Sequence, residues 1–145
     1  MECFEVFSNA KMIFQIGGNL GKSVQNMLDE ANQRVAKVEI NQAMEWINDS
    51  DTIFVDVRSN ETIRQSGIIQ GAVPAERGMI EFYADQEHSL GKSELKPEKR
   101  IVLYCSAGGQ AALAGATLLD MGYANVVNLE SFQGWKDAGG PVEDI

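Results

Sequence analysis

Residues 101–129 read IVLYCSAGGQAALAGATLLDMGYANVVNL, and this stretch decides the fold. Ile101-Val102-Leu103-Tyr104 is a short apolar run, the pattern of a strand covered on both faces. Cys105 to Gln110 is a turn of small residues. Ala111 to Met121 places Leu113, Ala114, Leu118 and Leu119 on one side of a helix, and Gly122 closes it. Val126, Val127 and Leu129 supply a second strand. Strand, loop, helix and strand in that order imply a right-handed crossover between parallel strands.

Working outward, Thr52-Ile53-Phe54-Val55-Asp56-Val57 is another nearly continuous apolar run rich in β-branched residues, again a buried strand. Residues 60–66 form a short helix capped by Ser59 and stopped by Gly67. Ala72-Val73-Pro74 is a brief strand near a sheet edge, because proline cannot donate to a central ladder. Met79, Ile80, Phe82 and Tyr83 suggest a helix, and polar residues 85–99, with Gly91 and Pro97, a loop. Upstream, Val24, Met27, Leu28, Ala31 and Val35 recur at helical spacing. Asn41 is placed to cap a short helix carrying Ala43, Met44, Trp46 and Ile47, ended by a turn at residues 48–51. Trp135 falls in a last short helix before Gly139-Gly140-Pro141. The expected class is α/β, with a mainly parallel sheet of about five strands and helices on both faces.

The bulk properties narrow the chemistry. A chain of 145 residues suits one domain. A net charge of −9 repels phosphate backbones, which argues against nucleic acid. Cys3 and Cys105 are too few and too distant for a disulfide framework or a zinc site, so a reducing cytoplasm is the expected setting. No apolar run approaches the ~20 residues that span a bilayer, and Glu2 and Glu5 precede any lysine, unlike a signal peptide. Residues 1–22 hold apolar residues without a clean period and read as an extension of unknown role; the domain proper is residues 23–145.

Cys105 stands at the carboxyl end of a parallel strand, where open α/β sheets bind ligands. The turn Ser106-Ala107-Gly108-Gly109 lacks large side chains, so its backbone N–H groups are free to converge on one point as an anion nest. The helix behind it adds partial positive charge. Such surroundings favour a thiolate. The bland alternative is a small buried hydrophobe.

Several separated motifs then coincide: Phe54-Val55-Asp56-Val57-Arg58 with Glu61, the run from Gly67 to Ala72, the run from Arg77 to Phe82, Val102 to Gln110, and Gly134 to Val142. Residues 52–145 resemble a rhodanese domain, and the helix at 23–36 suits the lead-in of bacterial single-domain members. The resemblance implies a sulfurtransferase without metal or organic cofactor. Cys105 would attack a sulfane sulfur, carry it as a persulfide and pass it to a nucleophile. Ser106, Ala107, Gly108, Gly109 and Gln110 would supply the cradle. The partners implied are a small sulfur donor or persulfide-bearing protein and a thiol acceptor, with the chain a monomer or homodimer. A non-catalytic persulfide sensor or docking module is the alternative.

Two positions depart from the family pattern. Gln110 stands where the family usually closes its loop with arginine, and Ile68 where it often has histidine. Losing a charge-assisted hydrogen bond costs about 1.5–3 kcal/mol, or ~10- to 150-fold in binding, so weak thiosulfate turnover is expected. Arg58 and Arg77 are candidates to replace the missing charge, Arg58 being the better placed for substrate. The scaffold reading pairs Arg58 with Asp56 or Glu61, and Asp56 reads as an orienting carboxylate. Other signals fail on spacing. Residues 17–23 imitate a phosphate-binding loop, but Ile16 holds the place of its first glycine. His88 is the sole histidine and lies in a polar loop, which disfavours a cysteine hydrolase. The phosphatases sharing this fold close a longer loop with arginine, and neither Gln110 nor Ala111 is one.

Overall fold

The structure, a computed structural model, describes residues 21–145. Most of the 1–22 extension, Cys3 and the start of the imitation phosphate loop lie outside the described residues.

The elements follow in chain order: α1 (Val24–Arg34), β1 (Ala36–Lys37), α2 (Ile40–Met44), β2 (Thr52–Asp56), α3 (Asn60–Ser66), β3 (Ile68–Ile69), β4 (Val73–Pro74), a 3-10 turn (Arg77–Met79), α4 (Ile80–Ala84), β5 (Arg100–Cys105), α5 (Gly109–Asp120), β6 (Asn125–Ser131), α6 (Phe132–Asp137) and β7 (Val142–Glu143). The main sheet has five strands in the order β1-β6-β5-β2-β4, all paired in parallel. β3 and β7 form a separate antiparallel pair. Pro74 lies on an edge strand, where its missing N–H costs no ladder bond.

Strand alternation divides the core into two. Val55, Ile101, Leu103, Cys105 and Val126 face the layer that includes Val35, α4 and α5. Phe54, Val102, Tyr104 and Leu129 face Ala43, Ile63, Phe132 and Trp135 on the other side. Both faces of β5 are therefore dry, which is why its sequence is apolar without a polar phase. Long connections are tied down by side chains. Tyr123 Oη reaches the carbonyls of Ala84 and Leu95 at 2.9 and 3.1 Å, and Gln86 Nε2 donates to Leu95 at 2.6 Å. Leu95, the buried residue within 85–99, anchors that segment to the core.

The caps explain most boundaries. Ser23 and Asn26 make a reciprocal capping box at the start of α1, and Ser59 accepts from Thr62 N–H at the start of α3. The second helix departs from expectation. It is capped by the backbone of Glu39, not by Asn41, and ends at Met44, leaving Trp46 and Ile47 in the following turn. Val38 N–H bonds Asn128 C=O beside β1, so the chain leaves the sheet and enters the helix before Asn41 is reached. The first helix buries only part of its apolar set. Ala31 and Val35 are buried, Leu28 is half-buried, and Val24 and Met27 are exposed. α1 meets α5 through Gly115, where an added Cβ would lie 2.9 Å from both Val35 methyls.

Candidate functional site

β5 ends at Cys105, and the chain must reverse within three residues to begin α5 at Gly109. Gly108 makes this possible. Its φ of +97° is a left-handed conformation that costs other residues about 1–2 kcal/mol. A side chain there would also press on Glu130, with Cβ and Cγ each 3.3 Å from the added carbon. The turn is thus shorter than its sequence suggests. Gly109 and Gln110 belong to the first turn of the helix, and Ala112 N–H already bonds Gly108 C=O at 3.0 Å. The helix boundary moves because a glycine at the cap tolerates the backbone reversal that Ser106 and Ala107 do not need.

Cys105 is buried, with 3% of its surface exposed. The N–H of Gly108 donates to its Sγ at 3.0 Å. Among the described residues this is the one bond made to that sulfur, so the converging amides expected from the sequence are represented by one. The twelve-residue α5 begins at once behind it, and its first N–H groups lack intrahelical acceptors. Ser106, Ala107 and Gln110 are exposed around the buried thiol, and Gly109 is half-buried. The loop thus sets small, solvent-facing residues beside a thiol that is itself buried with the core layer of Leu103, Ala111 and Ala114.

The floor beside the loop is polar and closed. Asn128 is 1% exposed. Its Nδ2 donates to Gly108 C=O at 3.0 Å, and its Oδ1 accepts from Glu130 N–H at 2.7 Å. β5 and β6 lose step here. Leu103 pairs with Asn128 but Tyr104 pairs with Glu130, leaving Leu129 as the extra residue of a bulge. Glu130 has φ +76°, rare for a residue with a side chain, and its carboxylate pairs with Lys37 at 3.0 Å. No expectation drawn from the sequence included Asn128 or Glu130. The available signal was one amide inside the apolar run from Val126 to Leu129.

Arg58 is placed on the sheet's carboxyl side but committed to the scaffold. It is 4% exposed, and its partner Asp56 is 0% exposed. Nε and one terminal nitrogen bind the Asp56 carboxylate, the latter at 2.7 Å. The remaining donors reach Ser66 Oγ and Gly67 C=O, each at 2.9 Å. The guanidinium also lies 4.1 Å from the Phe132 ring centroid. Asp56 accepts the N–H of Arg58 as well, so it orients the chain leaving β2. Burial, with the nearby Asp56 charge, pushes the Tyr104 hydroxyl far above its ordinary value of 10.0. Tyr104 Oη accepts from Ile69 N–H at 3.0 Å. Arg77 is also engaged, with Glu81 and Thr117 each 3.5 Å away. The described residues contain no group of three or more acidic, histidine or cysteine side chains able to hold a metal, and no helix long and apolar enough to cross a membrane.

The family model for the rhodanese-like domain matches residues 39–138. A sulfurtransferase from Allochromatium vinosum is 29% identical over 93 residues, spanning 63% of this chain and 78% of that protein. A Rhodopseudomonas palustris protein of unknown function, described as a possible tyrosine phosphatase, superposes with a TM-score of 0.79 at 34% identity, covering 89% of this chain and all of the other. The polysulfide-sulfur transferase homodimer of Wolinella succinogenes superposes with a TM-score of 0.65 at 26% identity, over 81% of this chain and 85% of that one.

Proposed function

The chain belongs to the rhodanese-like domain family, and from that premise we propose that Cys105 accepts a sulfane sulfur as a persulfide and hands it to a thiol. The reading rests on one observation above others: the Gly108 N–H aimed at Sγ, at the head of α5. An N–H and a helix N-terminus both favour a charged sulfur over a neutral one.

The first step joins Cys105 Sγ to the donor's outer sulfur. The donor's own sulfur bond breaks, and its leaving group departs as a thiolate or sulfite with the electron pair. The outer sulfur keeps the negative charge it bore in the donor and now ends the new persulfide at the head of α5. An acceptor thiolate then attacks that outer sulfur, and Cys105 leaves as thiolate. Cys105 attacks once and departs once, so the same sulfur serves as nucleophile and as leaving group. Ser106, Ala107, Gly108, Gly109 and Gln110 form the substrate cradle.

Gln110 brings hydrogen bonds but no charge, and Arg58 is held by Asp56. A persulfide or protein donor therefore suits the site better than thiosulfate, in a cytoplasmic setting that supplies thiols. The phosphatase description of the Rhodopseudomonas relative suits this loop less well. Phosphoryl transfer needs a cation over the equatorial oxygens, and residues 106–111 hold none. A sensor or docking role is the second reading, favoured by Gln110 alone.

Intact mass after exposure to a persulfide donor tests the proposal. The expected result is a gain of one sulfur atom, absent in Cys105→Ser and discharged by added thiol over many cycles. A single unreactive adduct would favour the sensor; no adduct in the native protein would refute the carrier.

A further inference from the structure

We propose that Asn128 is a positioning residue for Cys105, anchoring the Gly108 carbonyl so that the N–H of the same residue, one peptide unit earlier, stays on the sulfur. The proposal rests on the reading of Cys105 as a thiolate nucleophile. Asn128 makes no hydrogen bond to the sulfur itself. It acts through the glycine between them.

The orientation of the Asn128 amide has one solution. Gly108 C=O can only accept and Glu130 N–H can only donate, so Nδ2 faces the loop and Oδ1 faces β6. One buried side chain thereby joins two left-handed residues, Gly108 at φ +97° and Glu130 at φ +76°. Glu130 keeps its conformation only because its surroundings hold it, whereas Gly108 adopts its own freely and is just as free to leave it. The Leu129 bulge supplies the means, shifting the register so that Glu130 follows at the place where its N–H turns back to Asn128. The Gly108 carbonyl is then held by the Asn128 amide beside the helical bond from Ala112 N–H, and Glu130 carbons stand 3.3 Å from the place a side chain on Gly108 would fill. A glycine at a turn is otherwise the freest residue in a chain. Fixed this way, it presents its N–H at 3.0 Å from Sγ without an ordering cost when charge develops there.

Two variants and one measurement on the native chain decide the matter. Asn128→Asp keeps an acceptor for Glu130 N–H but sets carboxylate against carbonyl at Gly108. Asn128→Ala removes both bonds without adding charge. In both, alkylation of Cys105 by iodoacetamide at neutral pH is expected to slow about tenfold, the lower end for losing one hydrogen bond to a charged group. The alkylation profile should also move to higher pH, while thermal melting stays cooperative. A merely structural asparagine would lower the melting temperature and leave the profile of the folded fraction unmoved, which would overturn the proposal. Should neither variant fold, the Asn128 side-chain amide resonances of the native protein take their place. They are expected to shift when Cys105 is alkylated, and their indifference would overturn the proposal equally. Alkylation needs no sulfur donor, so a chain whose Cys105 takes no sulfur yet shows the shifted profile refutes the carrier and keeps the clamp.

Discussion

Gly108 carries the loop at the scale of single residues. Gly108→Ala places a methyl in a left-handed backbone and 3.3 Å from two Glu130 carbons, and about 1–2 kcal/mol of backbone strain follows. Sulfur loading of Cys105 is expected to fall more than stability does, as read by intact mass beside a denaturant melt. Gln110→Arg tests the opposite change. An exposed guanidinium at the first turn of α5 should raise thiosulfate turnover by ~10- to 150-fold, and equal or lower turnover would mean that the glutamine is not what limits it. Arg58 acts by its burial. Removing it strands the fully buried Asp56 carboxylate, so Arg58→Ala is expected to cost about 3–5 kcal/mol in a chemical melt. The sequence made Cys105 conspicuous because a lone thiol stood between a strand and a glycine-rich turn. It could not do so for Asn128, whose task exists only once β6 slips by one residue against β5.

Elements were legible in proportion to their length and burial. β2 and β5 announced themselves because both faces are covered, leaving no polar phase in Ile53 to Val55 or Ile101 to Tyr104. β1, β3 and β7 have two residues each. Two residues carry no alternation, and their partners lie far off in the chain, as Ile68 with Glu143. α3 began where Ser59 indicated, and α1, expected over 23–36, runs from Val24 to Arg34 because Ser23 is its cap and the chain enters β1 at Ala36; α5 began earlier than read, because its cap is a glycine without a side-chain signal. The packing of α1 on α5 leaves its own prediction. Gly115→Val would drive methyls into Val35 and Leu103, which already stand 2.9 and 3.3 Å from an added Cβ. A loss of roughly 1–3 kcal/mol is expected, measured as a lower denaturant midpoint.

Across the whole molecule, buried hydroxyls set the alkaline limit. Burial raises the hydroxyls of both Tyr104 and Tyr123 above their ordinary value of 10.0. The folded state then binds their protons more tightly than the unfolded state does. Their contribution is fully present below pH 10 and drains away as the pH climbs beyond about 10. Denaturant midpoints should fall in that range, with phenolate absorbance for these residues appearing together with unfolding.

The two outermost strands of the sheet, β1 and β4, expose only two residues apiece, and one of the four is Pro74. A neighbouring copy seeking to extend the ladder finds almost no unpaired backbone to grip. Concentrated solutions should consequently resist the edge-to-edge stacking that seeds fibrils, and crowding becomes tolerable for a sheet whose central strands are among the most β-prone segments of the chain.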